Sequence, residues 1–109
     1  MTTQEIAAMI EGTGIPSAYY AFEEGSAEAP PFICFYYASA NDLYADGVNY
    51  QRISNLTVEL YTDEKDFDAE QKVEDALTAA GISFSKTETY ISSEKLFEIV
   101  YESEVLING

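Results

Sequence analysis

The chain has 109 residues with no His, no Trp and a single Cys, and it carries a formal net charge of −15. Because most acid/base, nucleophilic and metal chemistry uses His or Cys, this composition excludes the commonest catalytic constellations. Twenty acidic against five basic residues also argue against sequence-specific nucleic-acid binding, which needs a basic surface. We therefore expect one acidic domain over residues 1–109, with no metal and no cofactor.

An apolar fraction of 47% with 14% aromatic residues predicts a folded chain despite the charge. The longest apolar stretch runs from Phe32 to Ala38, far below the ~18 residues that would span a membrane. No charged-then-apolar leader opens the chain. One Cys cannot form an internal disulfide, so we expect a soluble, intracellular protein.

The first helix is predicted over Thr3–Glu11. The spacing of Thr2 and Glu5 is that of a capping box, and apolar residues then recur at helical intervals. The Gly- and Pro-containing segment 12–16 ends this helix. Alternating aromatic residues predict a first strand over Ala18–Glu23.

A loop is predicted over Gly25–Pro31, because its two final prolines prevent continuous sheet pairing. Phe32–Tyr37 is short, aromatic and β-branched, which favours a strand covered on much of both faces. Asn41–Gln51 contains several turn formers, and we interpret it as a hairpin tip or a long excursion. Period-two alternation over residues 56–61 predicts a half-buried strand.

The acidic segment Asp63–Asp68 precedes a second predicted helix, which ends at Gly81. A strand is predicted over Ile82–Tyr90, followed by a turn and a long last strand that carries Glu98, Glu102 and Glu104 on one face. The order α-β-β-β-α-β-β predicts a single α+β domain. Its sheet should be mixed or antiparallel, with two helices packed on one face.

Few residues offer catalytic or metal-binding chemistry. Cys34 lies in an apolar run, where burial hides a thiol, so we expect it in the core. Asp42–Gly47 is similar to the opening of an EF-hand loop but lacks ligands, which indicates a plain turn. Neighbouring carboxylates, such as Glu74 and Asp75, are typical of solvated faces. We expect no enzyme, although a cleft with two convergent carboxylates would favour one.

Nine tyrosines are more than one small core satisfies easily. Tyr is favoured at protein interfaces because its large rigid ring loses little entropy on contact, although ordinary sheet tyrosines explain them equally well. A polar segment that carries Tyr44 and Tyr50 suits a contact loop. The candidate interface residues are Tyr44, Asp46, Tyr50 and Tyr61.

Three segments give the chain a family resemblance. Residues 30–37 (PPFICFYY), 59–66 (ELYTDEKD) and 93–105, which ends in YESEV, resemble small tail proteins of siphophages and prophages of Gram-positive bacteria. Length and element order are also similar to those of tail terminator, or tail completion, proteins. The resemblance runs nearly end to end.

The resemblance implies a structural virion protein that caps the tail tube as a ring and joins it to the head connector. Its partners would be other copies of itself in a homo-oligomeric ring, a hexamer in that family, together with the tail tube protein and the head connector protein. It implies a location in the virion tail, and in the host cytoplasm during assembly. A neighbouring head-tail joining protein is the nearest alternative.

The negative charge also acquires a possible use in a ring. Glu98, Glu102 and Glu104 form a candidate acidic face towards the lumen, where like charge would repel passing DNA. A solvated surface that only keeps the protein soluble explains the same charge. An acidic interaction domain that docks a basic partner is a further alternative.

Overall fold

The computed structural model describes the backbone of residues 1–22, 29–45 and 49–107, and the side chains of residues 1–22, 29–38 and 53–107. These residues form two helices and five strands in the predicted order α-β-β-β-α-β-β. The elements are α1 Thr3–Glu11, β1 Ser17–Tyr19, β2 Phe32–Ala45, β3 Asn49–Thr62, α2 Phe67–Ala79, β4 Ser85–Ile91 and β5 Leu96–Ile107.

Both helices begin at side-chain caps. The Thr2 hydroxyl accepts a hydrogen bond from the Glu5 backbone N–H at 3.1 Å, and the Glu5 carboxylate accepts one from the Thr2 backbone N–H at 2.8 Å. This capping box confirms the predicted start of α1. At α2, the Asp66 carboxylate accepts from the Ala69 N–H at 3.0 Å. These contacts satisfy N–H groups that a helix leaves unpaired.

The five strands form one mixed sheet in the order β1-β2-β3-β5-β4. β1 is parallel to β2, and every other neighbouring pair is antiparallel. The register aligns Val58 in the middle of β3 with Phe35 on β2 and Tyr101 on β5. Residues so aligned point to the same face of the sheet.

One face of the sheet and both helices enclose the core. The alternating residues Leu56, Val58 and Leu60 are all buried, as the period-two pattern predicts. They pack in one cluster with Ile6 of α1 and Val73 of α2. The predicted α+β architecture, with two helices on one face, is therefore confirmed. The opposite face of the sheet carries no helix of the described chain.

The first strand is shorter than predicted. β1 ends at Tyr19, because Tyr20 adopts a positive φ of 72° and turns the chain. The Ala21 N–H then donates to the Tyr19 carbonyl at 2.9 Å. The predicted end at Glu23 lies outside the described residues.

The next two strands are longer than predicted. β2 and β3 continue as a paired ladder through Asn41–Gln51, as far as the pair Ala45 and Asn49. The described residues of this segment therefore belong to the end of a hairpin, one of the two predicted alternatives. β4 begins at Ser85 instead of Ile82, because Ile82 is buried and its N–H donates to the Leu77 carbonyl at 2.9 Å.

Candidate functional site

The helix-free face of the sheet is the candidate site, and it carries tyrosines and carboxylates. The core residues of β2, β3 and β5 alternate with residues that point to this opposite face. Cross-strand pairs set Tyr61 beside Phe32 on one side and Glu98 on the other. Glu59 lies between Cys34 and Val100. The register therefore brings together side chains that are far apart in sequence.

A hydrogen-bonded network joins four of these side chains. The Tyr36 hydroxyl donates to Glu59 Oε2 at 3.0 Å. The Tyr61 hydroxyl lies 3.0 Å from Glu59 Oε1 and 2.8 Å from Glu98 Oε2. Because a hydroxyl has one proton to donate, the two carboxylates share the Tyr61 donor. We call Tyr36, Glu59, Tyr61 and Glu98 the Tyr–Glu layer.

Burial and the carboxylate acceptors keep both tyrosines in their protonated form. Burial, together with hydrogen bonding to Glu98 and Glu59, raises the pKa of Tyr61 far above its ordinary value. The pKa of Tyr36 is raised by burial and by its hydrogen bond to Glu59. Both hydroxyls are therefore protonated at neutral pH and act as hydrogen-bond donors to the carboxylates.

Aromatic rings extend the Tyr–Glu layer. The Phe32 ring stacks on the Tyr61 ring with centroids 5.0 Å apart, and the Phe22 ring meets Phe32 edge to face at 5.6 Å. The Tyr20 ring lies 5.1 Å from that of Tyr36. Beneath this cover Cys34 is buried, as predicted, and burial raises the pKa of its thiol. The cover makes Cys34 a packing residue instead of a nucleophile.

A shallow groove of about 750 Å³ runs beside the Tyr–Glu layer. Its lining includes Tyr36, Thr57 and Val100, and the segment 83–85 borders it. The charged residues of this lining are Glu59, Glu102 and Glu104, all acidic. The groove is open and two of its carboxylates are exposed, so it does not enclose a substrate as an active-site cleft does.

The predicted acidic face divides into two parts. Glu102 and Glu104 are exposed and line the groove. Glu98 is half-buried and accepts from Tyr61, so it belongs to the Tyr–Glu layer. The candidate interface residue Tyr61 is held in that layer as well. Tyr44 and Tyr50 are aligned across the β2–β3 hairpin, but their side chains, and the whole of Asp46, lie outside the described residues.

A second polar cluster lies on the helix side of the sheet, and sequence reasoning missed it. The buried Glu70 carboxylate on α2 pairs with Lys65 at 2.7 Å and with Lys86 of β4 at 2.8 Å. Lys86 also pairs with Glu74 at 2.8 Å, while Lys65 also pairs with Glu88 of β4. We call these five residues the lysine–glutamate cluster. Its only sequence signal was the scarcity of basic residues, five in so acidic a chain.

The cluster connects α2 to the edge strand β4. The Tyr101 hydroxyl donates to Glu74 Oε2 at 2.9 Å, which joins β5 to the same group. Burial opposes the charge on Glu70, but the paired ammonium groups of Lys65 and Lys86 outweigh this effect and lower the pKa of the carboxyl. The same contacts raise the pKa of Lys65 and Lys86. All three groups are therefore charged at neutral pH, and the cluster is structural.

Neither a metal-binding cluster nor a membrane-spanning helix occurs within the described ranges. No group of three or more Cys, Asp and Glu side chains there is arranged to hold a metal ion. Neither helix is long and apolar enough to cross a membrane.

Comparison with known proteins finds a similar fold in one chain of a solved virion structure. No protein-family model and no curated protein matches the chain. Among solved structures it is similar to a chain in the "Virion of native gene transfer agent (GTA) particle", with a TM-score of 0.66 at 13% sequence identity. The match covers 98% of this chain and 89% of that chain. At this identity, the likeness shows a shared fold over nearly the full length of both chains.

Proposed function

We propose that this chain is a structural virion protein that caps the phage tail tube as a ring and forms the joint to the head connector. The observation that carries the proposal is the end-to-end likeness of its fold to a chain of a virion particle. The sequence resemblance to tail terminator proteins of Gram-positive siphophages supports the particular role. A ring protein needs rigid contact surfaces and no catalytic groups.

The geometry of the sheet suits such a ring. The helices cover one face and the Tyr–Glu layer stiffens the other, so the described domain offers rigid surfaces to its neighbours. We propose that the face bearing Glu102 and Glu104 borders the central passage, where negative charge repels DNA. We further propose that the hairpin end with Tyr44, Asp46 and Tyr50 contacts the tail tube protein or the head connector protein.

The proposal predicts control of tube length. The purified protein is added to the tail tube protein of the same phage while that protein polymerises, and tube lengths are measured by negative-stain electron microscopy. Capping should shorten the tubes in proportion to the added protein and leave a ring at one end. An equally acidic, unrelated protein is the control for charge alone. Unchanged lengths with bare tube ends would contradict the proposal.

The same assay separates the alternatives. A neighbouring head-tail joining protein would bind the head connector but leave tube length unchanged. An acidic interaction domain would bind neither. Replacing Tyr44 and Tyr50 together by Ala tests the hairpin contact, and we expect loss of capping with an unchanged circular dichroism spectrum. Full capping by this double variant would move the contact elsewhere without removing the ring.

A further inference from the structure

Exposed aromatic residues mark two opposite edges of the sheet. Among the described residues, the large apolar side chains that are at least half exposed are Tyr19 (54%), Tyr20 (68%), Phe67 (72%), Tyr90 (51%) and Leu106 (50%). Tyr19 and Tyr20 lie on or next to the edge strand β1, Tyr90 lies on the opposite edge strand β4, and Phe67 begins α2. Exposed apolar groups concentrated in this way are typical of protein contacts.

The β1 patch consists of Tyr19, Tyr20 and Tyr37. The Tyr19 ring lies 5.9 Å from that of Tyr37 and meets Phe35 edge to face at 5.5 Å. The centroids of the Tyr20 and Tyr36 rings are 5.1 Å apart. These neighbours support the exposed rings, so a partner would find them already positioned and would lose little entropy on contact. The patch contains no charged residue.

The β4 patch consists of Phe67, Tyr90 and Phe97. The Tyr90 and Phe97 rings are 4.9 Å apart. Phe67 belongs to the same edge, because the Lys65 ammonium lies 4.9 Å from its ring centre and also pairs with Glu88 of β4. The one Lys and one Glu of β4 are both held in the lysine–glutamate cluster. The strand therefore has no net formal charge.

We propose that the β1 patch of one copy packs against the β4 patch of a second copy. The inference rests on the proposed ring and names the contact that builds it. In a chain of net charge −15, two copies repel each other over most of their surface. The two edges bring together aromatic side chains without setting unpaired carboxylates of the described chain against one another. Electrostatic repulsion between two copies is therefore weakest at these edges, which favours them for self-association.

The placement of the patches also selects the symmetry. A contact between two different surfaces on one subunit is heterologous, and repeating it generates a closed ring when the rotation per subunit closes. Pairing of one patch with itself would give only a twofold dimer. Because the patches lie at opposite edges of one sheet, each subunit can hold one neighbour on either side.

The test uses two full-length double variants that each remove one patch. The first is Tyr19→Ser with Tyr20→Asn, since Asn tolerates the positive φ at residue 20. The second is Phe67→Ser with Tyr90→Thr. A Leu106→Thr variant is the matched control, because Leu106 is equally exposed but lies outside both patches. Circular dichroism and urea unfolding establish that each variant is folded.

Native mass spectrometry and light scattering then report assembly of the wild type and the variants, alone and on tail tube ends. We expect rings from the wild type and from the Leu106→Thr control, and at least a tenfold weaker association of each double variant alone. An equimolar mixture of the two double variants should give 1:1 dimers, because one intact β1 patch meets one intact β4 patch.

The outcomes separate the inference from the proposed function. Wild-type rings together with rings from either double variant would overturn the edge contact and leave the capping role intact. A mixture that stays monomeric, while the wild type forms rings, would also overturn it. A wild type that forms no ring and does not bind tube ends would overturn the capping role. A 1:1 dimer in the mixture would in that case still support the edge contact.

Discussion

Neutralising Glu70 tests whether the lysine–glutamate cluster holds the edge of the sheet. The Glu70 side chain is only 3% exposed and contacts ammonium groups from both sides, at 2.7 Å and 2.8 Å. Glu70→Gln keeps the shape of the side chain and removes its charge. Lys65 comes from the β3–α2 connection and Lys86 from β4, so the change weakens the link between α2 and the edge strand.

The magnitude follows from the contacts that remain. Removing one partner of a buried ion pair costs about 3–5 kcal/mol when the other charge is left alone. Here Lys65 retains Glu88 and Lys86 retains Glu74, and the Gln carbonyl still accepts one hydrogen bond. Since each charge-assisted bond is worth about 1.5–3 kcal/mol, we expect the free energy of unfolding to fall by about 2–3 kcal/mol. The melting temperature should fall by about 10 °C.

Urea unfolding followed by tyrosine fluorescence and far-ultraviolet circular dichroism measures this loss, because the chain has nine tyrosines and no Trp. Glu64→Gln is the matched control, since Glu64 is exposed and its loss changes the net charge equally. This control should be as stable as the wild type or slightly more stable, because it relieves self-repulsion. Equal stabilities of the Glu70→Gln and Glu64→Gln variants would refute the structural role of the cluster.

Three further predictions concern the Tyr–Glu layer, acid stability and the acidic face. Tyr61→Phe removes the hydroxyl shared by two carboxylates and should lower the free energy of unfolding in urea by about 1 kcal/mol. Tyr90→Phe, on an exposed ring, should leave it almost unchanged. Equal losses in the two variants would contradict the hydrogen bonding in the Tyr–Glu layer. Folding lowers the pKa of Glu70. The ionised carboxylate therefore contributes its full stability above the pKa of the unfolded state. This contribution declines as the pH falls towards and through the lower pKa of the folded state. Acid titration of the Glu70→Gln variant should therefore show a shallower loss of stability than that of the wild type, and parallel curves would contradict the assignment. Replacing the acidic-face residues by Lys should produce salt-sensitive binding to duplex DNA, measured by fluorescence anisotropy. It should also impede genome delivery without preventing assembly. A stable, assembled variant that does not bind DNA would leave the acidity with a role in solubility alone. The changed residues are Glu102 and Glu104, because Glu98 is held in the Tyr–Glu layer by Tyr61.

Local patterns predicted most of the fold. The capping box of Thr2 and Glu5 and the alternation over residues 56–61 depend on neighbours in sequence, and both appear in the structure. Strand ends were harder to predict. Turn formers in Asn41–Gln51 suggested a break, but the ladder between β2 and β3 supplies backbone hydrogen bonds that outweigh weak local preferences. At Tyr20 a positive φ ends the strand where alternation would continue it.

The candidate site was predictable only in part, because the pairing register of neighbouring strands brings its residues together. The acidic face was predicted from alternation along β5, but the separation of Glu98 from Glu102 depends on Tyr61 in another strand. The burial of Glu70 between Lys65 and Lys86 depends on where β4 lies. Contacts between residues 16 or more positions apart leave no periodic signal in a single sequence.

The Tyr–Glu layer explains how one face of the sheet does without a helix. An apolar sheet face left open would promote aggregation, whereas a purely charged one would leave Cys34 and Thr57 in water. Tyrosine meets both requirements, because its ring covers the sheet and its hydroxyl holds a carboxylate at the surface. The result is a thin, stiff face with negative charge above it. For a protein proposed to surround a passage for DNA, such a face leaves the passage wide and keeps its wall from binding the genome.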